Sequence, residues 1–555
     1  MKNIKILVWL AFGLILTNCH EINDYPLEFN QIDKVFSDSI YVEQFVNNIY
    51  NNLPAGYNRI NGAMMACTTD EAVHSAKASN IDKVAKGNWG PTFNPDNQWS
   101  NNYEGIRKAN DFLLNVLPNI PDFTFKSQAT IDNLEGEVVF LRALFNFELL
   151  KRYGGIPIVE ELFQASSDPN VPRSTYDATV NYIVGQCDKA ASLLPDVYES
   201  NNKFDLGRAT KGAALALKAR TLLYAASPLF NDPTQTDDNF EHGAYNAAKW
   251  EKAADAAAAV IKLGSNELYP SFEEFFITLD GNTEIILSRM AGANNNIERL
   301  NGPSGYIQAN GGTGPSLNLV DAFEMADGSK FDWNNPSHAA DPFANRDPRF
   351  YKTILTNGTA WMGRNVETFE GGMDMGANNS TKTGFYLRKF LDPSAQWFGG
   401  STGQTYHCFP ILRYSEVLLN YAEAMNESYG FNVDPLGTGL TAKTAVELIR
   451  SRAKLDPFEI NPADKEEMRD IIWHERQIEL AMEEHRHWDV RRWKIAEQTL
   501  GGSIYGLRML KDAFGTISFE RFKVEDRVFS EKMYLYPIPQ SEMNLNSALV
   551  QNTGW

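Results

Sequence analysis

A mostly helical fold is what this sequence predicts, and three observations predict it. Residues 136–155, GEVVFLRALFNFELLKRYGG, are apolar around most of the circumference of a helix and close on Gly154 and Gly155, a strong helix stop. Residues 208–227 place Ala209, Ala213, Ala216, Ala219 and Ala226 at helical spacing before Pro228 ends the run. Further helical patterns occupy residues 244–263, 411–429, 441–454 and 465–497. Between them, residues 57–100, 280–318 and 328–405 are rich in Gly, Asn, Pro and Trp. Loops of that length are unusual unless they act in recognition, and a rigid helical body carrying them suits ligand binding.

The chain has 555 residues, 43% of them hydrophobic and 12% aromatic, enough for a substantial core. No linker-like composition divides it, so residues 41–555 read as one continuous domain, with a helical-repeat part over about 41–270 and a second part over about 271–555. Paired helices with Ala at their crossings resemble tetratricopeptide units, without a clean 34-residue repeat.

The N-terminus carries Lys2 and Lys5 and then an apolar run from Ile6 to Leu16. This is the cationic and hydrophobic order of a secretory signal, and it is too short for a spanning helix, which needs about 20 apolar residues. The run ends in LTNC and resembles a bacterial lipobox, with Asn18 where a small residue is usual. Residues 1–18 are read as a lipoprotein signal, Cys19 as the acylated first mature residue and residues 19–40 as a tether. Such a lipid anchors a soluble body without making it a spanning protein. Cys67, Cys187 and Cys408 remain, an odd number without a CxxC pair, so no disulfide framework is expected. The formal net charge is −19, which argues against nucleic acid as a partner and disfavours anionic polysaccharides.

Eight ordered stretches carry a specific resemblance. They are WSNNYEGIRKANDFL at 99–113, FLRALFNFELLKRYGGIPIV at 140–159, RATKGAALALKARTLLYAASPLFN at 208–231, LVDAFEMADG at 319–328, NRDPRFYKTI at 345–354, PILRYSEVLLNYAEAMNE at 410–427, HERQIELAMEEHRHWDVRRW at 474–493 and YLYPIPQSEMNLNSALVQNTGW at 534–555. Together they resemble the SusD/RagB family of Bacteroidota outer-membrane nutrient-binding lipoproteins, with Glu484 standing where that family often has Gly. The resemblance implies a mostly α, SusD-like fold with tetratricopeptide-like helix pairs and a loop-rich ligand face. It further implies a non-enzymatic, cofactor-free protein, lipid-anchored in the outer membrane and facing outward, that binds a glycan, or in some members a peptide, and passes it to a SusC-type TonB-dependent transporter.

A catalytic reading of HERQIELAMEEHRHW fails on spacing. A zincin needs HExxH, and the residue four after His474 is Ile478. Glu475, Glu479 and Glu483, spaced by four, are expected on one face, with Arg476, Arg486, Arg491 and Arg492 as ion-pair partners for helix packing. No GxSxG, phosphate loop or EF-hand occurs; GGTGPS at 311–316 lacks the phosphate-loop Lys, and no metal ligand is assigned. Sugar recognition needs flat rings for C–H faces and polar side chains for hydroxyls. The candidate rings are Trp89, Tyr306, Trp333, Trp361 and Trp397, at least two of which are expected to touch ligand, with Asp70 and Arg388 as polar candidates and Trp99 as a packing residue. Two other readings stay open: a surface glycoside hydrolase, and a scaffold for protein assembly alone.

Overall fold

The structure is a computed structural model. It describes residues 36–555 except 77, 126, 165–166, 169, 199–205, 233–244 and 396–402. Cys19 and Trp397 therefore lie outside the described residues.

The helix-rich body begins with α1, Ser39–Tyr50, whose Asp38 side chain accepts the Ile40 N–H as an N-cap. It continues with α2, Trp99–Asp111, and α3, Gln128–Tyr153. α3 is buried on all sides over its C-terminal two-thirds, as apolar residues around most of its circumference require, and stops at Gly154 with φ +77°. α4, Tyr176–Leu193, packs on α3; α5, Lys211–Ala226, packs on α4; and α6, Ala248–Leu263, packs on α5. The α5–α6 contact is lined by Ala219, Ala226, Ala253, Ala254 and Ala257, small enough for close approach of two backbones. The stack then takes helices from far along the chain. α7, Tyr414–Ser428, covers α6, and α8, Ala442–Arg452, with α9, Lys465–Glu479, covers α7. Among the described residues no helix is long and apolar enough to cross a membrane.

The sequence pattern over 465–497 predicts one helix, and the structure breaks it. After α9 the chain turns through Met482 and Glu484, both at positive φ (+67° and +68°), before α10, His485–Arg492. A left-handed residue explains why Gly is the commoner choice at Glu484. Here the Glu484 carboxylate accepts from Arg59 Nε at 2.8 Å.

Sheet structure is confined to short antiparallel pairs. β1, Ala72–His74, pairs with β3, Thr313–Pro315; β2, Ile285–Asn294, pairs with β4, Thr405–Arg413; and β5, Ser503–Lys511, pairs with β6, Ile517–Asp526. A second core of Phe275, Phe276, Leu319, Phe323, Phe350, Phe385, Tyr386 and Met482 lies beneath these loops and strands.

A buried ion lattice joins α8 and α9 of the helix stack to the loops and strands over this second core. Glu479 accepts from Arg413 at 2.8 Å, from Arg349 at 3.1 Å and from Arg452. Glu475 pairs with Arg349 and Arg450, and Glu483 with Arg413 at 2.7 Å and Lys389 at 2.8 Å. The glutamates spaced by four thus find partners outside their own segment, which corrects the expectation that neighbouring arginines neutralise them. Those neighbours serve other contacts: Arg476 pairs with Asp489, Arg492 with Glu423 and Asp489, and Arg486 with Asp70, while Arg491 donates to backbone carbonyls. Burial alone would raise the Glu479 carboxyl, but Arg452, Arg413 and Arg349 hold it well below the usual carboxylate range. Burial also lowers His474 to about 4, so it is neutral at physiological pH.

Removing one member of such a lattice leaves buried charges unpaired. Glu479→Gln is expected to cost about 3–5 kcal/mol in denaturant unfolding. A loss below about 1 kcal/mol would mean that the lattice does not hold the helix stack to the loop-bearing half.

Candidate functional site

Three loops of the second half meet at one ledge, and buried Asp374 joins them. Its Oδ1 accepts the Gly305 N–H at 3.1 Å and Arg364 Nη2 at 2.8 Å; its Oδ2 accepts Arg364 Nη1 and the Glu367 N–H, both at 2.8 Å. Gly305 is required by this closeness, since a Cβ there would fall 2.5 Å from the Met373 carbonyl oxygen. Bonding to Asp374 raises the Arg364 pKa, and the guanidinium lies 3.7 Å from the centroid of the Tyr306 ring. The Tyr306 hydroxyl donates to the Trp361 carbonyl at 2.7 Å, and burial moves its pKa up to about 12. Beneath the ledge, the Tyr386 hydroxyl donates to the Asp374 carbonyl and lies 2.9 Å from Ser304 Oγ.

Exposed side chains rim this framework. Ile307, Met362 and Met373 are 65%, 37% and 54% exposed, beside the exposed polar residues Gln308, Asn310 and Asn378. The surface is an apolar ledge edged with amides. Its cations are neutralised, Arg364 by Asp374 and Arg388 by Glu273 at 2.5 Å.

The structure brings three of the expected site residues together. Tyr306 and Trp361 share the hydrogen bond above, and the Arg388 guanidinium lies 5.7 Å from the Trp361 ring. Trp361 itself is buried, with its Nε1 lacking a partner among the described residues. Arg388 also donates to the Tyr351 carbonyl at 2.7 Å, so both it and Trp361 brace the ledge from behind.

The other expected residues lie apart. Trp89 packs in the first core, 4.9 Å from the Trp555 ring and 5.0 Å from Tyr536, and 8% of it is exposed. This corrects its assignment to a ligand-facing loop: the C-terminus, 466 positions later in the sequence, folds over it. Asp70 accepts from Arg486 Nε at 2.9 Å and Nη2 at 2.8 Å, which fastens its loop to α10. Trp333 is half-buried near β6: its Nε1 donates to Asp321 at 3.0 Å, and Arg521 lies 5.6 Å from its ring. Burial raises Asp321 to about 6. Sequence reasoning missed Asp374, Arg364, Ile307, Met362 and Met373; the only signal was Met between glycines in GGMDMG at 371–376.

Two larger hollows lie elsewhere. One of about 520 Å³ lies between α4, α5 and α6, and one of about 430 Å³ lies beside α1 and β2. Neither contains a residue that the sequence marked for ligand binding.

A stack of helix pairs with a loop-built ledge on its second half defines a helical-scaffold class of protein. The comparisons narrow it: one family model, the SusD family, matches residues 283–555, and a second, described as starch-binding associating with outer membrane, matches residues 27–223. The chain belongs to the SusD/RagB family. It is 22% identical to SusD-like protein P2 of Formosa agariphila, an alignment that covers 100% of this chain and 99% of that protein. It is similar to the crystal structure of a SusD-like protein from Bacteroides fragilis, with 28% identity, TM-score 0.78 and coverage of 96% of this chain and 100% of that one. A SusD-like carbohydrate binding protein from the same organism matches with 22% identity and TM-score 0.73, covering 93% of this chain and 100% of that one.

Two measurements test these placements. Trp89→Ala is expected to lower unfolding free energy by about 3–5 kcal/mol as a core truncation while leaving ligand affinity of the folded fraction unchanged; weakened binding at unchanged stability would contradict it. Next to Asp70, burial, reinforced by the Asp70 charge, raises the Glu71 carboxyl from 4.5 to about 8. A raised folded-state pKa means that the full contribution to stability is present below about pH 4.5 and is lost as pH rises toward about 8. Glu71→Gln should therefore gain stability relative to the parent, by up to a few kcal/mol, as pH rises through that window. A pH-independent difference would contradict the assignment.

Proposed function

We propose that this protein is a surface-exposed outer-membrane lipoprotein that binds a nutrient oligosaccharide on the Tyr306 ledge and passes it, chemically unaltered, to a SusC-type TonB-dependent transporter. The observation that carries this reading is Asp374, which fixes three loops at once and so presents an organised apolar ledge with amides at its edge. Organisation before binding removes the ordering cost that a floppy loop site would incur. The neutralised cations favour an uncharged ligand. The matched family description and the carbohydrate-binding B. fragilis relative support a glycan. A hydrolase would need two carboxyl groups flanking the bond to be cleaved; at this ledge Asp374 is buried and committed to Arg364, Glu273 is committed to Arg388 and Lys352, and Glu367 accepts the Met373 N–H at 3.2 Å. Acylated Cys19 would keep the body at the outer leaflet, facing the cell exterior.

One observation favours a peptide as the alternative ligand. Ile307, Met362 and Met373 are aliphatic or thioether side chains, which adapt to apolar peptide side chains more readily than they stack on sugar rings.

An affinity screen of the mature chain against neutral plant, fungal and host glycans and a peptide pool tests the proposal. Binding to one glycan class, weakened about 5- to 100-fold by Tyr306→Ala at unchanged thermal stability, is the expected result, corresponding to about 1–3 kcal/mol. Peptide-only binding would replace the sugar. Binding insensitive to Tyr306→Ala and Met373→Ser would remove the ledge as the site.

A further inference from the structure

The described chain begins at a corner that exposes four large apolar side chains. Ile40 is 59% exposed, Tyr41 54%, Leu114 49% and Phe123 79%. Two links place the segments that carry them side by side. The Phe36 carbonyl accepts from Thr124 Oγ1 at 3.3 Å, which puts Phe123 beside the entry of α1, with Ile40 four positions further along, in the first turn of that helix. Tyr41 is one turn before Phe45, whose ring lies 6.0 Å from Phe112, and Phe112 and Leu114 share one π-helical turn, Phe112–Val116. Beneath the exposed side chains, Val42, Val46, Phe112 and Val116 are buried in the first core, so the corner is rigidly mounted.

We infer that this corner, Ile40, Tyr41, Leu114 and Phe123, is a membrane-contact surface that rests in the headgroup region of the bilayer holding the lipid anchor. The inference rests on the proposal that Cys19 is acylated. Seventeen positions separate Cys19 from Phe36, so the tether spans at most ~60 Å when fully extended. The point where that tether joins the body is the corner itself. Tyr and Phe suit the membrane interface, having an apolar body and, in Tyr, a polar tip. Asp38, Glu43, Asp111 and Asp122 lie within three positions of these residues along the chain, so charge attraction to anionic lipid does not drive the contact and apolar burial does. The lipid also makes the contact intramolecular in effect, so a weak patch suffices once the anchor holds the body nearby. Four fixed contacts would then orient the body relative to the membrane, which a tether alone cannot do.

The test uses the full acylated chain reconstituted in phosphatidylcholine vesicles that contain nitroxide-labelled lipid. Cys67, Cys187 and Cys408 are buried, and Cys19 would be blocked by its acyl group, so Asn115→Cys and, separately, Phe514→Cys each give one position for an environment-sensitive dye. Phe514, at the β5–β6 hairpin tip, is 95% exposed and belongs to the other half of the protein. Several-fold stronger quenching at 115 than at 514, reduced by adding Tyr41→Ser and Leu114→Ser, is the expected result. Equal quenching at both positions overturns the inference. Mass analysis of the N-terminal peptide separates the two failures: an acylated chain with equal quenching sinks the membrane contact alone, and an unacylated chain sinks the anchor and the contact with it. The ledge's ligand affinity, measured independently, bears on neither.

Discussion

The structure depends on a set of carboxylates that cannot be buried alone. Glu475, Glu479 and Glu483 lie where α9 and the turn after it meet the loop-bearing half, and each is neutralised by a cation from a distant segment: Arg349, Lys389, Arg413, Arg450 or Arg452. Transfer of an isolated carboxylate into such an interior costs several kcal/mol even after relaxation. The arrangement is therefore tolerable only when all partners arrive together, and that requirement locks the loops into one position against the helices.

That constraint reaches the ledge through a short path. Lys389, tied to Glu483, follows the strand Tyr386–Leu387, which pairs with Ile354–Leu355. The Tyr386 hydroxyl reaches Ser304 and the Asp374 carbonyl, and the Asp374 carboxylate holds Gly305 and Arg364 around Tyr306. Apart from the stretch of chain between Lys389 and Tyr386, each step is a hydrogen bond or ion pair, so the ledge inherits its rigidity from the lattice. The helix stack on the other side offers alanine-lined contacts and hollows.

Much of the scaffold was legible from the residues themselves. The all-round apolar run at 136–155 and its two glycines gave α3 and its stop, and alanine spacing gave α5 and α6. Helix α4 and the β5–β6 hairpin were not anticipated, because Gly, Asp and charged side chains dilute the helical spacing of apolar residues in the one and their alternation in the other. The break after α9 was hidden as well: Glu484 has no conformational signature of its own, and only the family's preference for Gly hinted at a left-handed residue. Of the candidates chosen by type and setting, Tyr306 falls on the ledge, while Trp361 and Arg388 fall behind it. Trp89 was misplaced, because nothing local to KGNWGPTF reveals that Trp555 will cover it. Asp374 was missed for the same reason, since its role arises from contacts between loops and its own segment looks like an ordinary turn.

The central claim is that the Asp374-braced ledge is the face that meets ligand. Hydrogen exchange of the intact protein, with and without a saturating mixture of neutral oligosaccharides and peptides, tests it most directly. The account predicts slowed exchange at residues 302–312 and 360–383 with the helix stack unchanged. Protection confined to the groove between α4, α5 and α6, with the ledge unaffected, would contradict it.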